Sequence, residues 1–166
     1  MRRLGIAILC VLFTATVGEA AILVRIDKSA QRMHVFVNGE PRHHFVISTG
    51  LAGGPPRGAY RPQRMERVWH SRLYNWAPMP HAIFFHGNYA IHGTNQVSRL
   101  GQRASKGCVR LHPSNAATLF GLVKTHGMAS TRIVVEASVR RAELRINPVT
   151  GQQTDFVTKV VGVTAQ

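Results

Sequence analysis

One cysteine, Cys108, remains in this 166-residue chain once the apolar segment at its start is set aside, because the other, Cys10, lies inside that segment. A protein that leaves the cytosol enters an oxidising compartment, where structural cysteines normally occur in pairs. An unpaired cysteine there is either incidental or a reactive thiol. The 146 residues that follow position 20 are enough for a single domain with an apolar core.

The first twenty residues have the pattern of an export signal. Arg2 and Arg3 precede 14 mostly apolar residues, 4–17, and a small residue, Ala20, follows. This order predicts a secretory signal peptide over residues 1–20, with the protein exported to the periplasm or cell envelope. A membrane span needs roughly 20 apolar residues, so stable membrane insertion after signal removal is not expected.

Charge is the compositional outlier of the exported part. Without Arg2, Arg3 and Glu19, the 21 basic and seven acidic residues fall to 19 and six, a formal net charge of +13. In a cytosolic protein this excess would favour nucleic acid as the partner. Here the basic residues are scattered and no nucleic-acid motif occurs, so nucleic acid is not expected. Outside the cytosol the anionic candidates are cell-wall stem-peptide carboxylates and lipid head groups.

The first half of the exported chain has the pattern of β-structure. Residues 22–26 are rich in β-branched side chains, and apolar residues alternate along 33–37. Asn38-Gly39 is the preferred pair for a tight type I′ turn, which predicts a returning strand over 42–49. The glycine- and proline-rich segment 50–58 indicates a loop.

The middle of the chain is less regular. Residues 59–80 mix aromatic and basic residues with prolines and predict no single element. Three of their aromatic residues are expected either to lie in the core, which we favour, or to form a lid over a cleft: Trp69, Tyr74 and Trp76. Two more strands are expected at 82–85 and 89–92, joined at Gly87-Asn88.

One helix is clearly marked. Pro113 suits a first helical position, and Gly127 is a good stop. Between them, apolar residues recur with the spacing of a buried stripe: Ala116, Leu119, Phe120 and Val123. A strand follows at 131–137, and the basic, polar residues 138–166 are expected to form a loosely ordered tail. The expected architecture is therefore mainly β with one helix after Cys108, in a domain covering 21–137.

Cys108 and His92 are the candidate chemical pair. A thiolate attacks carbonyl groups well, and a nearby imidazole raises the thiolate fraction near neutral pH. Gly107 lets a substrate approach the backbone closely, and the N–H groups of Gly107 and Cys108 could face a developing oxyanion. Spacing alone leaves an alternative equally open, in which His92 is a hydrogen-bonded structural histidine and Cys108 a small buried residue.

A wider motif resembles the catalytic domain of the L,D-transpeptidases, the YkuD-like family that remodels bacterial peptidoglycan. The similar segments are Tyr89-Ala90-Ile91-His92-Gly93-Thr94, Leu100-Gly101, Ser105 and Gly107-Cys108-Val109-Arg110-Leu111, with Ile47-Ser48-Thr49-Gly50 and Pro56-Arg57-Gly58 upstream. The resemblance extends over about 21–137. It implies a β-sandwich or barrel-like fold.

The resemblance also implies roles for individual residues. In that family a cysteine, here Cys108, attacks the carbonyl of the third stem-peptide residue and expels the terminal D-alanine. The acyl group then passes to an amine of a second stem, which gives a 3→3 cross-link or attaches a protein. His92 would be the general base and later the acid, and the carbonyl of Gly93 would orient its imidazole. Carbapenem-type inhibitors are expected to acylate the same thiol.

Four further residues of the motif receive supporting roles. Ser105 and Gly107 are expected to support the cysteine and its oxyanion site. Arg110 either braces the cysteine loop, which we favour, or binds a substrate carboxylate. Lys106 stands where many relatives have histidine; its charge could lower the pKa of Cys108, but it cannot accept a hydrogen bond as neutral imidazole does. Three residues are assigned to substrate binding: Lys106, Tyr89 and His86.

No cofactor and no metal site are expected, because the histidines lack the short helical spacing of zinc ligands. Two alternatives to cross-linking remain open. If water accepts the acyl group, the protein is an L,D-carboxypeptidase or cross-link hydrolase, since the acceptor is chosen by cleft shape and water exclusion. The other is a wall-binding protein without catalysis, which the presence of both Cys108 and His92 disfavours.

Overall fold

The structure is a computed structural model that describes residues 20–140. Its strands are β1 (Ile22–Asp27), β2 (Arg32–Val37), β3 (Glu40–Ser48), β4 (Gly58–Tyr60), β5 (Arg64–Glu66), β6 (His70–Ser71), β7 (Ala77–Pro78), β8 (Ala82–His86), β9 (Tyr89–Gly93), β10 (Val109–Leu111) and β11 (Thr131–Glu136). The helix α1 spans Pro113–His126, and 3-10 turns occur at Arg72–Tyr74 and Val97–Arg99.

Nine of these strands form one curled sheet in the order β4-β11-β1-β2-β3-β10-β9-β8-β5, while β6 and β7 pair only with each other. Most neighbours are antiparallel, but β1 pairs with β11 and β10 pairs with β9 in parallel. The prediction of a mainly β fold with one helix after the cysteine is confirmed.

The Asn38-Gly39 turn links β2 and β3 as the sequence predicts. Both residues have positive φ, 50° and 82°, which is the conformation of a type I′ turn. The returning strand begins at Glu40, earlier than the predicted start, because the two-residue turn lets pairing resume at once. A bulge opposite Val35 and Phe36 absorbs one extra residue of β3.

The helix α1 begins and ends where expected. His112 caps its first turn by accepting a hydrogen bond from the Ser114 N–H, and Pro113 occupies the first helical position. Gly127 ends it with φ 90°. Its buried residues are Ala116, Leu119 and Val123, and Phe120 packs against the same core from a partly buried position.

Alternating side chains of β8, β9 and β10 separate two apolar groups. One face joins the main core, which also receives α1, through Ile83, Phe85, Ile91, Val109 and Leu111. The other face joins a smaller cluster of Met79, Ala82, Phe84 and Ala90, against which Trp69 and Cys108 pack. Successive residues of each strand therefore face different apolar groups, one on each side of the sheet.

The ends of the described chain are held on the sheet. Arg25, almost fully buried, forms a two-point ion pair with Glu136 at 2.9 and 2.7 Å, and the Val139 N–H donates to Asp27. The predicted signal segment, except Ala20, and most of the predicted tail, 141–166, lie outside the described residues. Within 20–140, no helix has the length and apolarity needed to cross a membrane.

Candidate active site

The register of β9 and β10 brings the predicted chemical pair together. Arg110 lies beside His92, and Val109 lies beside Ile91. Cys108 comes just before β10 and accepts a hydrogen bond from the Ala90 N–H. Because side chains alternate along a strand, Cys108, His92 and Arg110 project from the same face. We call this the site face.

The site face forms one wall of a cleft of about 630 Å³. The opposite wall is the β6–β7 hairpin, residues 69–79, which contributes Trp69, Leu73 and Tyr74 among others. Cys108 and His92 both line this cleft, together with the other predicted site residues Ser105, Gly107, Arg110, Lys106, Tyr89 and His86. Gly93 lies beside it, next to His92.

A closed turn presents the cysteine. The Ser105 hydroxyl donates to the carbonyl of Cys108 at 2.6 Å and accepts the Gly107 N–H at 3.0 Å. Ser105 itself is buried. The expectation that the Gly107 N–H faces an oxyanion is not met in this conformation, because that N–H already has a partner. We call residues 105–108 the cysteine turn.

Glycine at 107 is required by close packing. Its φ is +139°, and a Cβ there would lie 2.7 Å from Cε1 of Tyr89. A Cβ at Gly50 or Gly54 would in turn lie 2.9 or 3.0 Å from the Gly107 Cα. Tyr89 therefore supports the cysteine turn as well as lining the cleft.

The loop that supplies Gly50 and Gly54 is itself anchored. The amine of Lys28 donates to the carbonyls of Gly53 and Pro55, the latter at 2.7 Å. Sequence analysis missed this contribution to the site. The glycine-rich run after β3 was the available signal, but it predicts a loop without indicating what the loop packs against.

His92 is held in one orientation and kept neutral. It is 5% exposed, and its Nδ1 lies 2.7 Å from the carbonyl of Gly93. Because a carbonyl can only accept, Nδ1 carries the proton and Nε2 is left as the basic atom. Burial lowers the pKa of His92 to about 4, against the raising effect of the Gly93 hydrogen bond.

Cys108 is also neutral at rest. Burial raises the pKa of its thiol, while the Ala90 N–H and the charge of Arg110 act in the opposite direction. The thiol also donates to the Asn88 carbonyl, which lies 3.7 Å from Sγ. Burial thus disfavours a preformed thiolate–imidazolium pair, contrary to the expectation that His92 raises the thiolate fraction before substrate arrives.

Arg110 is anchored away from the cysteine turn. Its Nη1 donates to Oε1 of Gln96 at 2.8 Å, and the side chain is partly buried in the cleft wall. No hydrogen bond joins Arg110 to residues 105–108 in the described structure. The favoured role, in which Arg110 braces the cysteine loop, is therefore not supported by a direct contact. Its charge lowers the pKa of both His92 and Cys108.

The hairpin wall differs from expectation. Trp76 is 62% exposed and Tyr74 is 42% exposed, so the core prediction is wrong for both; only Trp69 packs inward, edge-on against Phe84. A hairpin with two-residue strands cannot bury two faces. Lys106 reaches across the cleft with Nζ 5.5 Å from the ring centre of Tyr74.

Among residues 20–140, no group of three or more histidine, cysteine, aspartate or glutamate side chains is arranged to hold a metal ion. The groups available for chemistry in the cleft include the thiol of Cys108, the imidazole of His92, backbone amides and cations. This set suits attack on a carbonyl followed by transfer of an acyl group.

Comparison with known proteins identifies the family that this chain resembles. A family model described as the L,D-transpeptidase catalytic domain, YkuD, matches residues 21–150. An L,D-transpeptidase from Mycobacterium smegmatis is 26% identical over 71% of this chain, with a TM-score of 0.62. LdtMt1, solved in complex with imipenem, is 25% identical over 70%, with a TM-score of 0.61.

An L,D-transpeptidase from Stackebrandtia nassauensis, 24% identical over 73% of this chain and 58% of its own, shares the fold with a TM-score of 0.62. The alignments cover 59% of the Mycobacterium smegmatis chain and 59% of LdtMt1, so this chain spans less than two thirds of those relatives. No curated protein matches it. The chain belongs to the YkuD family of L,D-transpeptidase catalytic domains.

Proposed function

We propose that this protein is a peptidoglycan L,D-transpeptidase in which Cys108 is the nucleophile and His92 the general base. The observation that carries the proposal is the shared site face: strand register aims the only described thiol and a buried, oriented imidazole into one cleft. Membership of the family supplies the reaction class.

In the first half-reaction, Sγ of Cys108 attacks the carbonyl carbon of the third stem-peptide residue while Nε2 of His92 takes the thiol proton. The Gly93 carbonyl, 2.7 Å from Nδ1, stabilises the imidazolium that forms. The tetrahedral intermediate collapses, the bond to the terminal D-alanine breaks, and Nε2 returns the proton to the departing amine. A thioester remains on Cys108.

In the second half-reaction, an amine of another stem peptide attacks the thioester carbon. Nε2 takes a proton from that amine, the carbon–sulfur bond breaks, and the proton passes to Sγ. The products are a cross-linked pair of stems and the free thiol. Because both groups begin neutral, the proton moves only as the new bond forms, which is general-base catalysis rather than attack by a resting thiolate.

The site for the negative oxygen follows from the cysteine turn. Since the Gly107 N–H is held by the Ser105 hydroxyl, the Cys108 N–H is the donor of the turn assigned to the oxyanion. Arg110, whose charge already acts on both reacting groups, adds positive potential to the same region.

The proposal includes the place of action. A signal-like segment at residues 1–20 and a net charge of +13 in the remaining chain support export to the periplasm or cell envelope, where stem peptides carry carboxylates. There the protein would act in cell-wall organisation and cell shape. Export is tested by the mass of the protein recovered from the envelope, which should begin at Ala21.

Purified protein incubated with a disaccharide-tetrapeptide tests the activity directly. We expect a cross-linked dimer with loss of D-alanine, detected by mass, and none with Cys108→Ala. Tripeptide alone would indicate hydrolysis, and untouched substrate would contradict catalysis. Imipenem should add to Cys108 in an intact-mass measurement, and an adduct that persists in Cys108→Ala would place the nucleophile elsewhere.

A further inference from the structure

A second cavity lies outside the cleft, between the two ends of the curled sheet. Its volume is about 510 Å³, and its lining is Ala59, Tyr60, Arg61, Pro62, Gln63, Phe85, His86 and Arg132. The two edge strands, β4 and β5, are joined by only three residues, 61–63, and the Gln63 N–H donates to the Phe84 carbonyl at 2.7 Å. We call this cavity the outer groove.

A row of rings links the outer groove to the cysteine turn. His86 lines both the groove and the cleft. Its ring centre is 5.0 Å from that of Tyr60 on the groove side and 6.0 Å from that of Tyr89 on the cleft side, where the two rings are nearly parallel. Tyr89 then packs on Gly107. The two cavities are therefore neighbours on one continuous surface.

The outer groove is cationic and has no acidic lining. Arg61 and Arg132 both border it and both are exposed, and no described aspartate or glutamate lines either cavity. Arg61 donates one N–H to the Ala129 carbonyl, which fixes its direction. Within residues 20–140, Arg132 forms no ion pair. Two guanidinium groups without a carboxylate partner are suited to bidentate binding of a carboxylate ligand.

We propose that the outer groove binds a carboxylate of the acceptor stem peptide, the second substrate of the transfer. This inference rests on the proposed function, because only transfer to an amine requires a second peptide. The donor occupies the cleft as its thioester on Cys108. A peptide anchored at Arg61 and Arg132 reaches that thioester past His86 and Tyr89, along the row of rings.

The experiment uses one peptide that can act only as donor and another that can act only as acceptor. The donor is a tetrapeptide whose side-chain amine is acetylated, so that it cannot accept. The acceptor is a tripeptide, which has no terminal D-alanine to lose. With donor fixed and acceptor varied, the double variant Arg61→Gln/Arg132→Gln should raise the acceptor KM about fivefold, the scale of exposed charge pairs. The ratio of transfer to hydrolysis should fall in proportion.

Three controls define the outcome. Acylation by imipenem should proceed at the wild-type rate in the double variant, since the donor side is untouched. Arg42→Gln, an exposed arginine of β3 that lines neither cavity, should leave the acceptor KM unchanged. Arg132→Gln alone removes no side-chain hydrogen bond or ion pair of residues 20–140, so it should show part of the effect and guards against loss of folding.

An acceptor with its carboxylates converted to amides gives the decisive arm. If the groove binds a carboxylate, wild type and double variant should use this acceptor equally poorly. An equal acceptor KM in both proteins with the carboxylate peptide would overturn the inference. A fivefold higher KM of the double variant for the amide acceptor would overturn it too, because the arginines would then act without a carboxylate. Competition by inorganic phosphate without any effect of acceptor charge would assign the groove to phosphate ligands instead. A wild type that imipenem does not acylate would contradict the proposed function.

Discussion

The two faces of the β9–β10 strand pair use neighbouring residues for opposite purposes. On the core face, Ile91 and Val109 are fully enclosed by apolar side chains. On the site face, one residue further along each strand, His92 and Arg110 border a cleft, with Cys108 just before β10. The same backbone hydrogen bonds therefore hold both an apolar core and a reactive pair.

The comparison shows what burial does on each side. Apolar groups gain stability when water is removed, whereas titratable groups lose their charged forms. This is why His92 and Cys108 are both neutral at rest.

The sharpest contrast is between Cys108→Ala and Val109→Ala. The first should abolish acylation by imipenem and leave the free energy of unfolding nearly unchanged, because no other group replaces the nucleophile. The second should lower stability by about 2 kcal/mol and leave acylation of the folded protein intact. Intact mass and urea unfolding measure the two effects. A reversed pattern would mean that the faces have been misassigned.

His92→Gln should slow acylation by roughly 10²-fold, the scale of a positioned general base. The matched core change Ile91→Val should cost about 1 kcal/mol of stability and leave the acylation rate unaltered. Stopped-flow or quenched mass measurements with imipenem give the rates. Acylation by His92→Gln at the wild-type rate would remove the histidine from the mechanism.

Burial of neutral His92 should make the protein sensitive to acid. The unfolded chain gains a proton at this residue near pH 6.5, but the folded chain gains it only near pH 4. Between these values the unfolded state binds more protons, so stability falls as the pH drops, by roughly 3 kcal/mol in total. Urea unfolding at pH 7, 5.5 and 4 should show a smaller loss of unfolding free energy in His92→Gln than in the wild type. The same pH dependence of stability in both proteins would contradict the lowered pKa of His92.

Gly107→Ala should destabilise the cysteine turn by about 2 kcal/mol and slow acylation. The added Cβ would lie 2.7 Å from Cε1 of Tyr89, and the positive φ of this residue disfavours any side chain. Gly121→Ala is the matched control. It lies in α1 with nothing within 4 Å of an added Cβ, and it should stabilise by up to about 1 kcal/mol. Equal effects of the two substitutions would show that the packing at Gly107 is not restrictive.

The smallest effect is expected at Lys106. Its amine lies over the Tyr74 ring, and the cation that lowers the pKa of Cys108 is Arg110. Lys106→Ala should therefore leave the thiol titration at 240 nm unshifted. It should change the donor KM by less than about fivefold, and added salt should remove that change in KM. Arg110→Gln should raise the thiol pKa. A shift in Lys106→Ala would restore a direct electrostatic role for the lysine.

Local sequence determined the parts of the fold that depend on backbone preference. Asn38-Gly39 prescribes its turn because both positions need positive φ, and Pro113 with Gly127 sets the ends of α1. The motif around Cys108 supplied the candidate residues of the site and the family to which the chain belongs.

The hairpin wall could not be predicted in the same way. Strands of two residues, β6 and β7, carry too few positions for a periodic pattern. They pair because the chain on either side is fixed: the Met79 N–H donates to the Trp69 carbonyl, and Trp69 packs on Phe84. Exposure of Tyr74 and Trp76 follows from that position and not from their apolar character.

By itself, then, the sequence determined the reactive residue types, the long strands, the helix and the family, since these depend on neighbours within a few positions. Tertiary structure decided which atoms meet. The register of β9 with β10 placed His92 beside Arg110 and on the same face as Cys108, and a loop some fifty residues earlier closed Gly50 and Gly54 on Gly107. Burial decided that the pair is neutral, because a pKa depends on all the surfaces that remove water from a group, and those surfaces come from distant parts of the chain.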